Sequence, residues 1–339
     1  MFNILINPSK ILFLITLLMG TMMSISSNSW PAMWMGLEIN MLSFIPLMMT
    51  PNHLSSSESS MKYFLIQAMA SSMFLMFIIL SFFKMNYMIH MHYYIQTITS
   101  MTLLIKMGAA PFHMWFPIVM EGLSWNNCLL LMTWQKIAPM VMLLTIHPNM
   151  TIMYLSIILS ITVGSIGGLN QTSTRKIMAY SSINHIGWML MAMSLSSSLW
   201  LIYFLIYMIV SSSMLVFFSK LSNFHFNQLP LNSSMSGKIK MMIMLNMLSL
   251  GGLPPMLGFI PKWLIIQSCN HQPIVIFMVL MSLITLFYYM RLMMSMLMLN
   301  FTQLKWSLVN KTNITYIIPA MTIVSTAGFT LFPIIYLFP

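Results

Sequence analysis

Glu38, Lys106 and Lys136 each lie inside an unbroken apolar stretch long enough to cross a bilayer. A charge at the bilayer centre costs about 2.5–3.5 kcal/mol on insertion scales, so three cost on the order of 10 kcal/mol. That is comparable to the stability of an ordinary domain. The chain has only 14 Lys and Arg and three acidic residues, with no Asp, among 339 residues. Three charges placed at depth in so sparse a set point to a polar interior path that carries protons or ions.

The chain is 59% hydrophobic and 5% charged, with a mean hydropathy of +0.86. Soluble domains carry about 25% charged residues. Apolar runs of about 20 residues recur along the whole length, which identifies an integral membrane protein. The net charge of +11 comes from basic residues at span ends, not from a groove-like cluster interleaved with aromatics, and this excludes nucleic-acid binding. Cys128 and Cys269 are far apart, belong to no metal-spaced motif and read as apolar fillers. MFNILINPSK makes neither a cleavable signal nor an Arg-rich transit peptide, so the first span is expected to act as its own insertion signal. Packing alone does not explain 45 Met residues; a genetic code that reads an extra codon as Met, as in animal mitochondria, would.

The pattern predicts an all-α polytopic membrane protein of about eleven transmembrane helices, near 9–27, 30–49, 61–83, 92–112, 125–146, 150–169, 175–196, 198–220, 240–267, 273–298 and 315–338. Strand-like alternation over ten-residue segments is absent, which argues against a barrel. With the N-terminus on side one, that side holds Lys10, Lys62, Arg175, Lys176, Lys220, Lys238, Lys240, Arg291, Lys305 and Lys311, and the other only Lys84. The N-terminus should therefore face the positive-inside compartment and the C-terminus the opposite one. The polar stretch 221–239 reads as a surface loop within one bundle.

One pattern occurs twice. GAAPFHMWFP at 108–117 and GLPPMLGFIP at 252–261 both carry a Gly, a Pro three residues on and a second Pro six residues further. Pro111 thus matches Pro255, and Pro117 matches Pro261. Proline removes a helical hydrogen bond and glycine lets the backbone leave helical geometry, so each motif predicts a discontinuous membrane helix. Five helices separate the two, so they run in opposite directions, as in inverted repeats with transport sites at the broken helices. The expected plan is one membrane domain over 1–339, with repeat one at 9–146, repeat two at 150–298 and a C-terminal helix at 315–338.

Each polar residue has two readings. Glu38 in WMGLEINMLSF is either a neutral carboxyl bonded to a neighbouring helix or a carboxylate held by a partner lysine. Lys106 in LLIKMGAAP could snorkel, but its helix continues past it. Lys136 in LLMTWQKIAPM would need to reach about two turns to do so. Lys262 follows the second break in GFIPKWLI. His185 in AYSSINHIGWM is a proton relay or a cross-helix hydrogen-bonding group. Glu58 and Lys62, four apart after three serines, read as helix capping and a surface pair at the start of helix three. His90 and His92 lack further metal ligands, while His113 and Glu121 flank the first break as a portal or as plain water-facing groups. GGLPP lacks the Lys-Ser/Thr of a phosphate loop, and no Cys cluster or paired histidines suggest an iron–sulfur or haem site.

KMGAAPFHMWFP, WQKIAP, RKIMAYSSINHIGWM and LSLGGLPPMLGFIPKW together resemble the antiporter-like membrane subunits of respiratory complex I, over roughly residues 10–300. The eleven-helix count fits animal members of that family, which resemble a fourteen-helix bacterial form lacking its first three helices. The resemblance implies a multi-pass protein of the mitochondrial inner membrane, N-terminus on the matrix side, that translocates protons. It implies that Glu38 is the acidic partner of Lys106, Lys136 the central-axis lysine and Lys262 the lysine of the terminal half-channel, with His185 in the family's SSxxHxG pattern. It also implies no cofactor in this chain, with NADH, FMN, iron–sulfur clusters and ubiquinone elsewhere in the complex. Expected partners are other membrane-arm subunits and lipids, cardiolipin among them, and no nucleic acid. Relatives often carry Asp after PFHxWxP, where this chain has Ile118, and Glu121 comes four residues past Pro117; the entry route is left open. Two unit charges about 6 Å apart at an effective dielectric constant of about 20 interact by about 3 kcal/mol, enough to change a proton affinity about a hundredfold. A free-standing cation/proton antiporter and a structural membrane scaffold are the alternatives.

Overall fold

The computed structural model describes residues 8–50, 53–82, 89–146, 148–221, 225, 237–298, 322–323 and 325–326. Among them the architecture is all-helical apart from one isolated bridge, Ser173 with His225. The helices are α1 (Pro8–Ser26), α2 (Trp30–Met48), α3 (Leu54–Phe82), α4 (Ile89–Met107), α5 (Trp115–Gly122), α6 (Trp125–Met132), α7 (Trp134–Ile146), α8 (Met150–Gly167), α9 (Thr174–Leu195), α10 (Ser197–Leu221), α11 (Gly237–Gly251), α12 (Phe259–Ser268) and α13 (Gln272–Met298). Among the described residues six spans are long and apolar enough to cross a membrane, with α6 and α7 together making one of them. The helix expected at 315–338 lies outside the described residues except for 322–323 and 325–326, which are helical. Lys84, Lys305, Lys311 and most of the 221–239 connection also lie outside them.

Three expected boundaries need correction. Helix four, read to 112 and well past Lys106, ends at Met107, one residue after that lysine. Helix three begins at Leu54, not near residue 61. Ser56 and Ser57 donate to the carbonyls of His53 and Leu54, so the serine run adds a polar first turn to the helix. The span 125–146 is interrupted at Thr133, whose ψ of −71° departs from the helix and whose hydroxyl donates to Leu129 O at 2.6 Å. Pro139 has no N–H to offer the carbonyl of Gln135, which loosens the following turn as well.

The chain divides into two compact units, Met1–Ser160 and Ile161–Pro339. In the first, α1 and α2 cross at close range through small residues. A Cβ on Gly36 would lie 2.6 Å from the Ser24 nitrogen, and one on Gly20 would lie 2.9 Å from the Asn40 nitrogen. Small residues four apart on both helices bring the backbones together, which is how helices associate where lipid removes the usual hydrophobic drive. α2 also packs on α3, α3 on α4 and α5, and α4 on α7. In the second unit α9 is buried on every side and packs against α10, α12 and α13. Gly164 of α8 meets the backbone of Asn184 in the same way. Arg291 ties α13 to the connection that follows α8, donating to Leu169 O at 2.5 Å and Gln171 O at 3.1 Å.

Replacing Gly36 with Leu forces α1 and α2 apart, because the facing atoms are backbone and cannot yield. The expected outcome is a sharp fall in the yield of chain stably held in its native assembly, read by native gel of solubilised membranes, while Ala at the exposed Met35 leaves the yield unchanged.

Candidate functional site

The two repeated motifs form the same backbone device. In the first unit Gly108 has φ +72°, its N–H donates to Ile105 O at 3.1 Å, and the Ala109 N–H reaches back to Leu104 O at 3.0 Å. In the second Gly252 has φ +76°, its N–H donates to Ser249 O at 3.1 Å, and the Leu253 N–H reaches Leu248 O at 3.2 Å. Both are Schellman closures: a left-handed residue, supplied by glycine, folds the chain back onto the last carbonyls of α4 and α11. Helix then resumes at Trp115 as α5 and at Phe259 as α12. Irregular backbone at membrane depth demands partners for every exposed polar group. At the first break Trp115 Nε1 donates to Ile105 O at 3.1 Å, and Gln67 Nε2 of α3 donates to Lys106 O at 3.3 Å. At the second, Lys262 Nζ donates to Gly251 O at 2.9 Å. Leu257 N–H donates to Ser325 O at 3.2 Å, and the Ser325 hydroxyl donates to the Asn246 side-chain carbonyl.

The expected site residues sit at these devices. Lys106 is the penultimate residue of α4 and is buried, while Glu38 on α2 is half-buried. The two interact electrostatically, while a direct ion pair joins Glu58 and Lys62 at 2.5 Å on the exposed start of α3. Lys136 lies in the first turn of α7, 1% exposed, with its ammonium 5.3 Å from the centroid of the Phe116 ring. That ring faces it from α5, just past the first break, and its negative π-face favours a cation. Lys262, also buried, lies 5.7 Å from the centroid of the Trp188 ring on α9. His185, one turn before Trp188, is buried, and its Nδ1 is 2.8 Å from the Tyr203 hydroxyl. His113 sits in the first break beside Pro111 O at 3.2 Å, and Glu121 lies at the end of α5. In the first unit, then, Glu38, Lys106, Phe116 and Lys136 gather around one break; in the second, His185, Trp188 and Lys262 gather around the other.

A family described as NADH:quinone oxidoreductase/Mrp antiporter, TM matches residues 27–288. The chain is 50% identical over 336 residues to NADH-ubiquinone oxidoreductase chain 2 of Anopheles gambiae, covering 97% of this chain and 98% of that one. To the protein of the same name from Aedes aegypti it is 52% identical over 337 residues, with the same coverage. The chain belongs to the NADH-ubiquinone oxidoreductase chain 2 family. Its fold matches a chain in the structure of respiratory complex I from Thermus thermophilus with a TM-score of 0.80 at 22% identity, over 95% of this chain and 79% of that one.

Several residues around this family member's breaks carry no charge and were invisible to a search for ionisable groups. Gln67 and Trp115 hold the carbonyls freed by the first break. Gln135, next to Lys136, donates from Nε2 to Asn40 Oδ1 at 2.9 Å, linking α7 to α2 two residues beyond Glu38. Asn127 donates to Leu47 O at 2.8 Å from α6. Neutral amides deep in apolar helices are expensive to bury, so each depends on the partner it finds.

The Asn40–Gln135 bond can be tested by a double-mutant cycle. Asn40→Leu leaves the Gln135 amide without this partner, which costs about 1–3 kcal/mol. The expected outcome is a lowered thermal midpoint of the solubilised assembly with either single substitution to Leu. The double variant should recover part of the loss, because both partners are then apolar.

Proposed function

We propose that this chain is an antiporter-like core membrane subunit of respiratory complex I, translocating protons across the mitochondrial inner membrane while other subunits carry electrons from NADH to ubiquinone. The observation that carries this reading is the pairing of buried lysines with two matching helix breaks: Lys106 at the first, Lys262 at the second, and Lys136 against the aromatic edge of the first. Each lysine is desolvated yet provided with a carbonyl, a carboxylate field or an aromatic face that favours its protonated form. In this reading Glu38 biases proton uptake and release at Lys106, the proton passes through Lys136, and His185 and Lys262 are later stations. A lysine delivers and accepts a proton in single steps, and water-filled gaps between such groups complete a relay.

The reading includes about eleven spans arranged as inverted repeats at 9–146 and 150–298, with a further helix at 315–338 and the N-terminus on the matrix side. The sign of the basic residues at span ends supports that orientation. NADH, FMN, iron–sulfur clusters and ubiquinone would bind elsewhere in the complex. Partners would be neighbouring membrane-arm subunits and surrounding lipid, including cardiolipin. Near end-to-end identity of 50 and 52% with the two mosquito oxidoreductase chains supports an assembly member over a free-standing exchanger.

The deciding experiment is Lys136→Met in the intact complex, reconstituted into sealed vesicles. Methionine keeps the aliphatic bulk and removes the ionisable nitrogen. Protons moved per electron should fall, and coupled turnover should drop on the order of 100-fold, as expected when a proton-transfer group is removed. Unchanged pumping per electron in fully assembled complex would return the chain to a scaffold role.

A further inference from the structure

His185 poses a chemical problem that the proposed relay must solve. A histidine that takes up and releases a proton in a buried site changes the hydrogen-bonding character of its ring: neutral imidazole has one donor and one acceptor nitrogen, and imidazolium has two donors. A fixed donor or a fixed acceptor beside Nδ1 would suit one state and leave an unmatched polar group in the other, at a cost of about 1–3 kcal/mol. The structure places a group there that can do both. The Tyr203 hydroxyl on α10 is 2.8 Å from His185 Nδ1, and both residues are buried. A phenol donates its O–H to a bare ring nitrogen or accepts an N–H on its lone pairs by rotating about one bond, with no movement of either helix.

Two further observations bear on the same ring. Tyr207, one turn along α10, lies with its ring centroid 5.1 Å from that of His185, at an angle of 46°. A π-system at that range favours a positively charged neighbour. A small cavity of about the minimum size for one water molecule, apolar over most of its wall, has His185, Tyr203, Tyr207, Ser249, Gly258 and Pro261 in its lining. Ser249 belongs to the backbone closure of the second break, and Gly258 and Pro261 frame the restart of helix. The imidazole therefore adjoins both a reversible hydrogen-bonding partner and a space where a water can meet the opened backbone.

We propose that Tyr203 is the positioning residue for His185 in proton translocation: its hydroxyl alternates between donor and acceptor as the imidazole changes protonation state, holding the ring against a water site at the second break. No bond other than O–H and N–H is made or broken, and each proton gained by His185 is passed on as one proton. This rests on the reading of His185 as a relay residue, and the test separates the two.

Intact complex carrying Tyr203→Phe, Tyr203→Gln or His185→Gln is reconstituted into sealed vesicles. Protons per electron, and NADH oxidation with an uncoupler present, are measured per assembled complex. Tyr203→Phe removes a single oxygen and should lower coupled proton transfer roughly tenfold, by loss of a hydrogen bond to a group that becomes charged. Tyr203→Gln, which also both donates and accepts, should restore part of the pumping. Wild-type pumping in Tyr203→Phe together with loss in His185→Gln would overturn the role of Tyr203 and leave the relay standing. Wild-type pumping in His185→Gln would remove the relay reading itself. Equal losses in both Tyr203 variants would make the side chain a packing element and overturn the proposal. A structure of the unmodified complex resolving water settles the geometry without any variant: a His185–Tyr203 separation beyond 3.5 Å, or a dry cavity, would overturn it too.

Discussion

In hydrocarbon, a backbone N–H or C=O has nowhere to turn except to the protein itself, and this chain opens two of its helices regardless. Everything notable in its interior follows from closing those openings. Gly108 and Gly252 take up left-handed geometry so that the chain can fold back onto carbonyls that would otherwise dangle. The carbonyls still exposed are met by long side chains: Gln67 and Trp115 at one break, Lys262 at the other. The unwound segments are therefore tied down at several of their polar groups. They place polar atoms at membrane depth where a regular helix would show only apolar side chains.

The two breaks share a backbone and differ in chemistry. In the first, the lysine precedes the glycine, and Glu38 stands on a separate helix within electrostatic reach of it. In the second, the lysine follows the break and folds back onto it, with Trp188 across its ammonium. Aromatic rings recur at both, and a chain of rings from Phe44 through Tyr63 and Trp115 to Phe116 runs behind the first, with centroids 5.4–5.9 Å apart. Such rings exclude lipid, pack densely and still present a favourable face to a cation, which neither aliphatic side chains nor carboxylates do together.

Much of this was legible in the residues alone, for reasons that can be stated. Ionisable groups in apolar runs are so costly that Glu38, Lys106, Lys136 and Lys262 could be singled out by position only. The matched Gly and Pro spacing pointed to two interrupted helices because glycine and proline act through the backbone, independent of surroundings. The polar start of α3 was read as lying outside the helix because serine ordinarily marks a cap, whereas here its hydroxyls turn inward onto the helix's own carbonyls. The interruption at Thr133 was missed because a single threonine in an apolar run gives no warning. Asn40, Gln67, Gln135 and Tyr203 escaped because their meaning lies in pairing. Each is ordinary in sequence, and only the three-dimensional arrangement shows which carbonyl, amide or imidazole it answers.

One bond in the second unit has an implication beyond its own strength. Because Lys262 grips the carbonyl of Gly251, its amine is also a latch on the main chain. An ammonium grips harder than a neutral amine. Loss of a proton from this nitrogen would therefore slacken the bend it fastens, and the charge on one atom would be felt by the main chain on both sides of the break.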